Sequence, residues 1–333
     1  MLSMKLNSFG KSCCSSRKMN VFLIAAIVIA TAFCTLLLLL KGPSRTVSDF
    51  LVTTLMETRR GKYVARLFLS EDDLQSALAR NQIEETPFVT AGIDEDYDIP
   101  SSEKDHIDVV SVDSQLYHGK LMIIRDPSRV TLGVNTTLSG NNSGSLLVDD
   151  YVSQLNGIAG INAGGFDDPN GTGDGTVPYG VTIQNGKIVS GSADDWQTLI
   201  GFNSHHHLMV GQMTAAQALS YGIENAVTFG PALIVNSAAV SVTGAGGGLN
   251  PRTVIGQRED GAVLLLVIEG RKPSSLGATY QDCINIMLAH GAVNAANLDG
   301  GGCSAMVYQG KTIASSVSLF GNDRKVPTAW VIK

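Results

Sequence analysis

The segment NLDGGGCSAMV, from Asn297 to Val307, places one carboxylate directly before three glycines. Glycine loses more backbone freedom on folding than any other residue, so this run indicates a conformation or a close approach that a Cβ atom would prevent. Asp299 follows a predicted strand, and the N–H groups of Gly300, Gly301 and Gly302 could bind an anion beside it. The pattern favours a phosphate-bearing ligand, and the alternative is a tight turn capped by Asp299.

Charged residues also mark the ends of two further predicted strands. Arg252 begins a strand in NPRTVIGQ, and Glu269 and Arg271 follow the apolar run of LLLVIEGR. Because alternate residues of a strand share a face, Glu269 and Arg271 are predicted to lie on one side. Arginine binds phosphate oxygens through a planar fork, so Arg252 and Arg271 are candidate phosphate ligands.

A third polar segment, INAGGFDDPNGTGDG, also follows a predicted strand. Four of its residues alternate as at the start of a calcium loop, but no Glu stands at the twelfth position. We therefore predict no metal ligands and no cofactor, with calcium as a minor alternative. The segment supplies Asn162, Gly164, Gly165 and Asp168 as candidate binding residues, and Asp168, Asn170, Thr172 and Asp174 as the calcium alternative.

Two of the five cysteines, Cys283 and Cys303, lie beyond the apolar segment near the N-terminus. Cys303 is a weak candidate nucleophile, because no His stands at a recognisable spacing from it. Cys283 falls in a predicted helix, so we expect two buried free thiols rather than a disulfide bond.

The elements that position these residues are mostly strands. Hairpins are predicted at Asn185-Gly186, Asp260-Gly261 and Gln309-Gly310, and a helix is predicted from Thr279, with Asp282 three residues on, to His290. Further helices are predicted at 148–155 and 214–221. The pattern indicates an α+β fold, a mixed and largely antiparallel sheet domain over residues 106–333.

An apolar run of twenty residues, from Val21 to Leu40, carries no charge. Roughly 20 residues are needed for a helix to cross about 30 Å of hydrocarbon, so the run predicts a single transmembrane helix. Lys11, Arg17 and Lys18 precede it. By the positive-inside rule, they favour a cytoplasmic tail over residues 1–20, an anchor in the cell membrane and an extracytoplasmic domain. A cleaved signal peptide is the alternative.

Residues 41–105 are predicted to connect the membrane helix to the domain, with two short helices between Ser48 and Arg80 and then an acidic linker. Residues 1–41 hold five basic residues and no acid, which leaves 19 basic against 30 acidic residues in the rest. This negative balance excludes a nucleic-acid partner.

Read in order, INAGGF, YGVTIQNGKIV, FGPALIVN, NPRTVIGQ, LLLVIEGR and NLDGGGCSAMVYQGK resemble the phosphodiester glycosidase family. Animal members of that family release N-acetylglucosamine from sugar phosphodiesters, and bacterial members include membrane-anchored, exopolysaccharide-related proteins. Family members commonly have serine where this chain has Cys303, and many have Asp in place of Glu269. The resemblance implies a phosphorylated glycan or sugar-phosphate substrate in the cell envelope.

The resemblance also implies roles for the candidate residues. Loss of a phosphate monoester from a sugar needs little acid catalysis but needs cations around the phosphate and a carboxylate near the anomeric carbon. Asp299 is the first choice for the carboxylate and Glu269 the second. A glycan-binding or assembly protein and a glycosyl transferase are the alternatives to a hydrolase. The remaining implied residues are Arg252 and Arg271 on the phosphate, Asn162 and Asn297 on sugar hydroxyls, and Ser304 with the glycines as further binding residues.

Overall fold

The structure, a computed structural model, describes residues 9–58, 61–91, 95–138, 145–167, 173–316 and 324–333. Three antiparallel sheets with helices on their outer faces confirm the predicted α+β class. The helices are Phe9–Lys41 (α1), Arg45–Met56 (α2), Gly61–Phe68 (α3), Glu71–Arg80 (α4), Asn135–Leu138 (α5), Val148–Gln154 (α6), Ala215–Ser220 (α7) and Tyr280–Ala289 (α8).

The strands belong to one seven-stranded and two five-stranded sheets, ordered β1-β2-β13-β12-β14-β10-β11, β16-β15-β4-β17-β3 and β6-β5-β9-β7-β8. They are Ile107–Asp113 (β1), His118–Ile124 (β2), Val130–Val134 (β3), Ala159–Asn162 (β4), Thr182–Gln184 (β5), Lys187–Ser190 (β6), Trp196–Asn203 (β7), Leu208–Thr214 (β8), Ile223–Thr228 (β9), Ala232–Val235 (β10), Ala238–Ala239 (β11), Arg252–Arg258 (β12), Val263–Ile268 (β13), Ala292–Leu298 (β14), Ala305–Tyr308 (β15), Lys311–Ser315 (β16) and Thr328–Ile332 (β17).

The main core lies between the inner faces of the three sheets. All six residues of β13 are buried, because one face packs into this core and the other packs under α8. A strand covered on both faces reads as a continuous apolar run, and VLLLVI in β13 is such a run. The strands that end at the candidate site are therefore rigid supports.

Local turn chemistry agrees with the sequence. Asn185 and Gly186 have φ values of 51° and 69°, and Gln309 and Gly310 repeat them, so both pairs form hairpin turns that need two residues with positive φ. Thr279 caps α8 with the predicted capping box to Asp282. These predictions are confirmed.

The connecting region forms three helices rather than the predicted two. We call α2, α3 and α4 together the arm. A Cβ atom on Gly61 would lie 2.6 Å from the carbonyl oxygen of Leu55, so α3 starts where the chain folds back tightly on α2. One glycine in a polar stretch is a weak signal for a helix boundary, and the apolar periodicity continues across it.

The arm packs against the apolar N-terminal helix. Met19–Lys41 is long and apolar enough to cross a membrane. Leu40 of this helix is buried in a cluster with residues of the arm, and the ring of Phe33 lies 5.2 Å from that of Phe68 in α3. The arm and the C-terminal part of the helix therefore form one packed unit.

The described chain after α4, including residues of the predicted acidic linker, packs on the sheet domain. Thr90 is buried and its N–H donates to the Val210 carbonyl at 3.0 Å, while the Tyr97 ring lies 4.3 Å from the imidazole of His207. The predicted domain start near His106 stays a prediction.

Candidate active site

A cleft of about 310 Å³ lies where β12 begins and β13 and β14 end, between the sheet domain and the arm. Ligand pockets of about 300 Å³ and above accept small molecules. The cleft brings together several predicted residues with others that the sequence did not indicate. Its lining residues are Glu57, Lys62, Phe229, Asn250, Pro251, Arg252, Arg271, Tyr280, Asn297, Asp299, Gly300, Gly301, Gly302 and Arg324.

Asp299 is held through its backbone directly after β14. Its N–H donates to the Ala163 carbonyl at 3.0 Å, and its own carbonyl accepts from Nδ2 of Asn162 at 2.5 Å. The Asn162 Oδ1 accepts from the Thr253 hydroxyl at 2.9 Å and from the Ala305 N–H at 3.1 Å. Asn162 is fully buried, and its side chain holds the backbone of Asp299. The prediction that it orients sugar hydroxyls is therefore not supported.

The three glycines form a turn that another residue approaches closely. Gly301 has φ of +62°, and its N–H donates to the Pro251 carbonyl at 3.0 Å. A Cβ atom on Gly301 would lie 3.2 Å from Nη2 of Arg271. Within the described residues, the N–H groups of Gly300 and Gly302 have no acceptor, so they remain available to a ligand.

The guanidinium of Arg252 lines the cleft but is hydrogen-bonded within the protein. Its Nε donates to the Ala278 carbonyl at 3.1 Å, its Nη2 to the Gly247 carbonyl at 2.5 Å and its Nη1 to Glu57 at 3.2 Å. The guanidinium also stacks 4.0 Å from the centre of the Tyr280 ring. Burial lowers the pKa of Arg252, but the charges of Tyr280 and Glu57 outweigh it and the pKa is raised. Protein acceptors already use these donors, and the predicted phosphate contact of Arg252 stays a prediction.

Arg271 and Arg324 are the more accessible cations. Arg271 donates to Asn250 Oδ1 through a long bond of 3.3 Å, and the Arg324 guanidinium lies 4.5 Å from the centre of the Phe166 ring. Desolvation lowers the pKa of Arg271, and the nearby charges of Arg252 and Arg324 lower it further. A guanidinium stays protonated in proteins, so this crowding of cations favours an anionic ligand.

Glu269 lies outside the lining of the cleft. Its Oε2 is 3.1 Å from Nζ of Lys272. The same-face argument is wrong here because β13 ends at Ile268, and Arg271 has a positive φ of 60° in the following turn. The second carboxylate that lines the cleft is Glu57, from the turn after α2.

Asn297 is the predicted sugar ligand that does line the cleft. It is 2% exposed, and its Nδ2 donates to the Gly230 carbonyl at 2.9 Å. Its Oδ1 is buried and has no hydrogen-bond partner among the described residues. A buried amide oxygen without a donor costs free energy, which a ligand hydroxyl or N–H would recover.

The other predicted binding residues lie behind the cleft or outside the described part of the chain. A Cβ atom on Gly164 would lie 2.9 Å from Cβ of Val227, and one on Gly165 would lie 3.0 Å from the Phe229 ring. Both glycines therefore allow close packing. Ser304 is buried and also lies outside the lining, and Asp168 falls outside the described residues.

The environment of Cys303 does not suit a nucleophilic thiol. It is 2% exposed, and burial first, then the charge of Asp299, raises the pKa of its thiol well above the ordinary value. A thiol with a raised pKa is a poor source of thiolate. Cys283 is buried as well, and burial raises its pKa to about 12. Both are buried free cysteines in the structure.

The calcium alternative stays a prediction. Asp168, Asn170 and Thr172 lie outside the described residues, and the described residues hold no cluster of three or more His, Cys, Asp or Glu side chains suited to a metal. Asp174 accepts from the backbone N–H of Thr176 at 3.0 Å.

Sequence reasoning missed the residues that reach the cleft from loops and from the arm. Arg324 precedes β17 in a charged loop, and Glu57 and Lys62 lie in the basic stretch ETRRGK. The sequence analysis predicts a connecting region there, although a run of charges between apolar helices is a signal for residues that reach a site. The missed residues are Glu57, Lys62, Phe229, Asn250, Tyr280 and Arg324.

Comparison with known proteins adds a family match and a fold match. The family model described as phosphodiester glycosidase matches residues 156–333. The catalytic domain of zebrafish N-acetylglucosamine-1-phosphodiester alpha-N-acetylglucosaminidase, auto-inhibited by its pro-peptide, superposes with a TM-score of 0.57. It is 17% identical, and the match covers 76% of this chain and 88% of that one, which shows a shared fold.

A curated relative is the SPbeta prophage-derived uncharacterized protein YomE of Bacillus subtilis strain 168, 42% identical over 64 residues. Those residues are 19% of this chain and 10% of YomE, so the chain spans about a tenth of the length of that relative.

Proposed function

The chain belongs to the phosphodiester glycosidase family, and we propose that it hydrolyses the glycosidic bond of a sugar 1-phosphodiester of the N-acetylglucosamine type. One observation carries the proposal. The carboxylate residue Asp299 lines a cleft together with the cations Arg271, Arg324 and Lys62. A sugar phosphodiester needs this pairing, a carboxylate near the anomeric carbon and positive charge around the phosphate.

The leaving group decides which residues matter most. Cleavage of the sugar C1–O bond releases a phosphate monoester, which is a far better leaving group than an alcohol. Arg271 and Arg324 hold the phosphate. The N–H groups of Gly300 and Gly302, which have no acceptor in the described part of the chain, add neutral donors. Strong cation binding in a partly desolvated cleft stabilises the negative charge that develops as the bond breaks.

Asp299 stabilises the positive charge that develops on the sugar ring. Its backbone is fixed on both sides, by Ala163 and by Asn162, so little reorganisation is needed at the moment of reaction. Asn297 offers Oδ1 to a sugar hydroxyl or acetamido N–H. These assignments place the sugar over β14 and the phosphate beside the glycine turn.

The apolar N-terminal helix supports an anchored, extracytoplasmic enzyme of the cell envelope. Met19–Lys41 is long enough to span a bilayer, and the basic residues before it favour a cytoplasmic N-terminus. The substrate would then be a phosphorylated glycan or another phosphodiester of the envelope, such as one used in exopolysaccharide metabolism.

The test uses the full chain in lipid vesicles with an N-acetylglucosamine 1-phosphodiester, and free sugar is followed by NMR. Asp299→Asn is expected to reduce kcat by about a hundredfold or more, or about 3 kcal/mol of transition-state stabilisation. Glu269→Gln, outside the cleft, is the matched control and should keep most of the activity.

The outcomes separate the competing functions. Binding of the diester without release of sugar by the wild type would show a glycan-binding protein. Formation of a disaccharide when an acceptor sugar is added would show a transferase. Equal rates for Asp299→Asn and Glu269→Gln would remove Asp299 from the mechanism.

A further inference from the structure

The α3 helix has one face in the cleft and another face of exposed apolar residues. Lys62 lines the cleft. Leu67, five residues later, is 77% exposed, and Tyr63 is 58% exposed. At 3.6 residues per turn, a five-residue step turns the helix by about 140°, so Lys62 and Leu67 lie on nearly opposite sides.

The position of α3 relative to the bilayer follows from the length of the N-terminal helix. From Met19 to Ala32 there are 14 residues, which make about 21 Å of helix and cannot cross about 30 Å of hydrocarbon. If the helix spans the membrane from Met19, Phe33 therefore lies within the hydrocarbon, about five residues before the span of roughly 20 residues ends. The ring of Phe68 in α3 lies 5.2 Å from that of Phe33, so α3 sits at the depth of the membrane boundary.

The residues of α3 suit this depth. Exposed Leu67 and Val64 supply apolar surface, Tyr63 is of a type enriched at membrane interfaces, and Arg66 is exposed beside them. In an aqueous setting this surface would have no cover from the rest of the described chain. Phe68 of α3 packs on Phe33 of the membrane helix, so a bilayer around the exposed apolar residues of that helix would also reach the exposed residues of α3.

We propose that α3 is an interfacial helix that enters the leaflet on the side of the catalytic domain, and that the cleft takes a sugar phosphodiester whose second ester arm is a membrane lipid. A helix with its side chains is about 10 Å across, so the cleft wall at Lys62 lies about one helix diameter from the lipid. A lipid arm can then stay in the leaflet while its phosphate reaches Arg271. This inference rests on the proposed hydrolysis.

The reaction balances without any further reactant. The C1–O bond between sugar and phosphate breaks, the oxygen of water becomes the anomeric hydroxyl of the free sugar, and one proton of that water passes to the released phosphate or to solvent. The lipid phosphate monoester remains in the bilayer. No group is oxidised or reduced.

The test compares two substrates and two variants of the full chain in phosphatidylcholine vesicles. The substrates share N-acetylglucosamine 1-phosphate and differ in the second arm, a long isoprenyl chain or a methyl group. Leu67→Glu removes the apolar face of α3, and Leu288→Glu is the matched control, since Leu288 is an exposed leucine on α8 at 42% exposure. Wild type and Leu288→Glu are expected to prefer the isoprenyl substrate at least tenfold in kcat/KM.

For Leu67→Glu, the preference for the isoprenyl substrate should disappear while the rate on the methyl substrate is unchanged. An unchanged preference in Leu67→Glu, or equal rates of the wild type on both substrates, would overturn the inference and leave the proposed hydrolysis intact. Cleavage of neither substrate by the wild type would overturn both the substrate class and the proposed function.

A second measurement reports on α3 without using activity. Tryptophan is introduced as Leu67→Trp or Leu288→Trp, and its fluorescence is quenched by brominated lipids after subtraction of the parent signal. Strong quenching at residue 67 and none at residue 288 is the expected result. Equal quenching at the two positions would show that α3 does not enter the bilayer.

Discussion

The two walls of the cleft are held by different means. The domain wall, formed by Asp299, Arg271 and Asn297, stands at the ends of buried strands and is fixed by backbone hydrogen bonds. The arm wall, formed by Glu57 and Lys62, comes from a helical unit that packs against the membrane helix.

The arm meets the sheet domain through a small set of polar contacts. Glu57 pairs with Arg252 at 3.2 Å, the Thr54 hydroxyl accepts from the Leu249 N–H at 3.0 Å, and Asn81 Oδ1 accepts from the Ala245 N–H at 2.7 Å. The domain wall can thus carry the chemistry, which needs fixed geometry, whereas the arm wall sets what surrounds the substrate. Four predictions test this division.

The largest effect is expected for a cation of the domain wall. Within the described residues, the Arg271 guanidinium makes one long hydrogen bond, to Asn250. Arg271→Ala therefore removes a charge-assisted bond to a phosphate ligand in a partly desolvated cleft. We expect kcat/KM for the sugar phosphodiester to fall about a hundredfold and inhibition by inorganic phosphate to weaken. Arg258→Ala, which breaks a surface pair with Asp260, is the control and should change neither quantity. Similar losses in both variants would contradict a local role for Arg271.

Asn162→Ala should loosen Asp299 without touching the substrate. The variant removes the donor to the Asp299 carbonyl, so we expect kcat to fall about tenfold at unchanged KM, and stability to fall by about 1 to 3 kcal/mol from unsatisfied buried groups. Asn203→Ala removes another buried amide that accepts two backbone N–H groups in the β7–β8 turn. It should lower stability in a denaturant titration while kcat stays the same. A raised KM in Asn162→Ala would point to direct substrate contact.

A smaller effect is expected on the arm wall. Glu57→Gln keeps an oxygen that can accept from Arg252 but removes the negative charge. The Glu57 side chain is about a third exposed, so the free energy of unfolding should fall by less than about 1 kcal/mol. We expect kcat/KM to change less than about fivefold. Asp49→Asn, which weakens the pair with Arg80 inside the arm, is the control for general loosening of these helices. A hundredfold loss in Glu57→Gln alone would make the arm part of the catalytic machinery and end the division between the walls.

The smallest effect is expected at Cys303. Because the pKa of the Cys303 thiol is raised, a smaller fraction is thiolate at any given pH than for an ordinary cysteine. The side chain is also buried. A disulfide reagent at pH 8 should therefore not modify Cys303 in the folded chain. Cys303→Ser should retain activity within about twofold. Loss of activity in this variant, with normal thermal unfolding, would return the thiol to the mechanism.

The sequence predicted the domain wall better than the arm wall for a physical reason. Asp299, its glycines and Arg271 sit next to strand ends that apolar runs and turn residues mark clearly. Strand alternation failed for Glu269, because it lies past the end of β13 and the turn there redirects the chain. A period-2 argument holds only inside the strand.

Composition and periodicity could not reveal which polar side chains form their hydrogen bonds within the protein. Arg252 and Asn162 have the residue types of ligands, yet their donors and acceptors are satisfied by backbone groups and by Thr253 or Glu57. The arm residues were missed because their place depends on long-range packing of helices, which local patterns do not encode. The fold class needed only local signals and was therefore predictable.

The place of the final strand has a consequence for biosynthesis. Strand β17 follows β3 and β4 by more than 160 residues, yet it lies between them and pairs with both. A growing chain therefore holds β3 and β4 apart, with unpaired edges, until residues 328–332 leave the ribosome. Long-range pairing of this kind is slow, and open strand edges invite association with other chains. Nascent chains and forms truncated before Thr328 should depend on chaperones, because they lack the middle strand of this sheet.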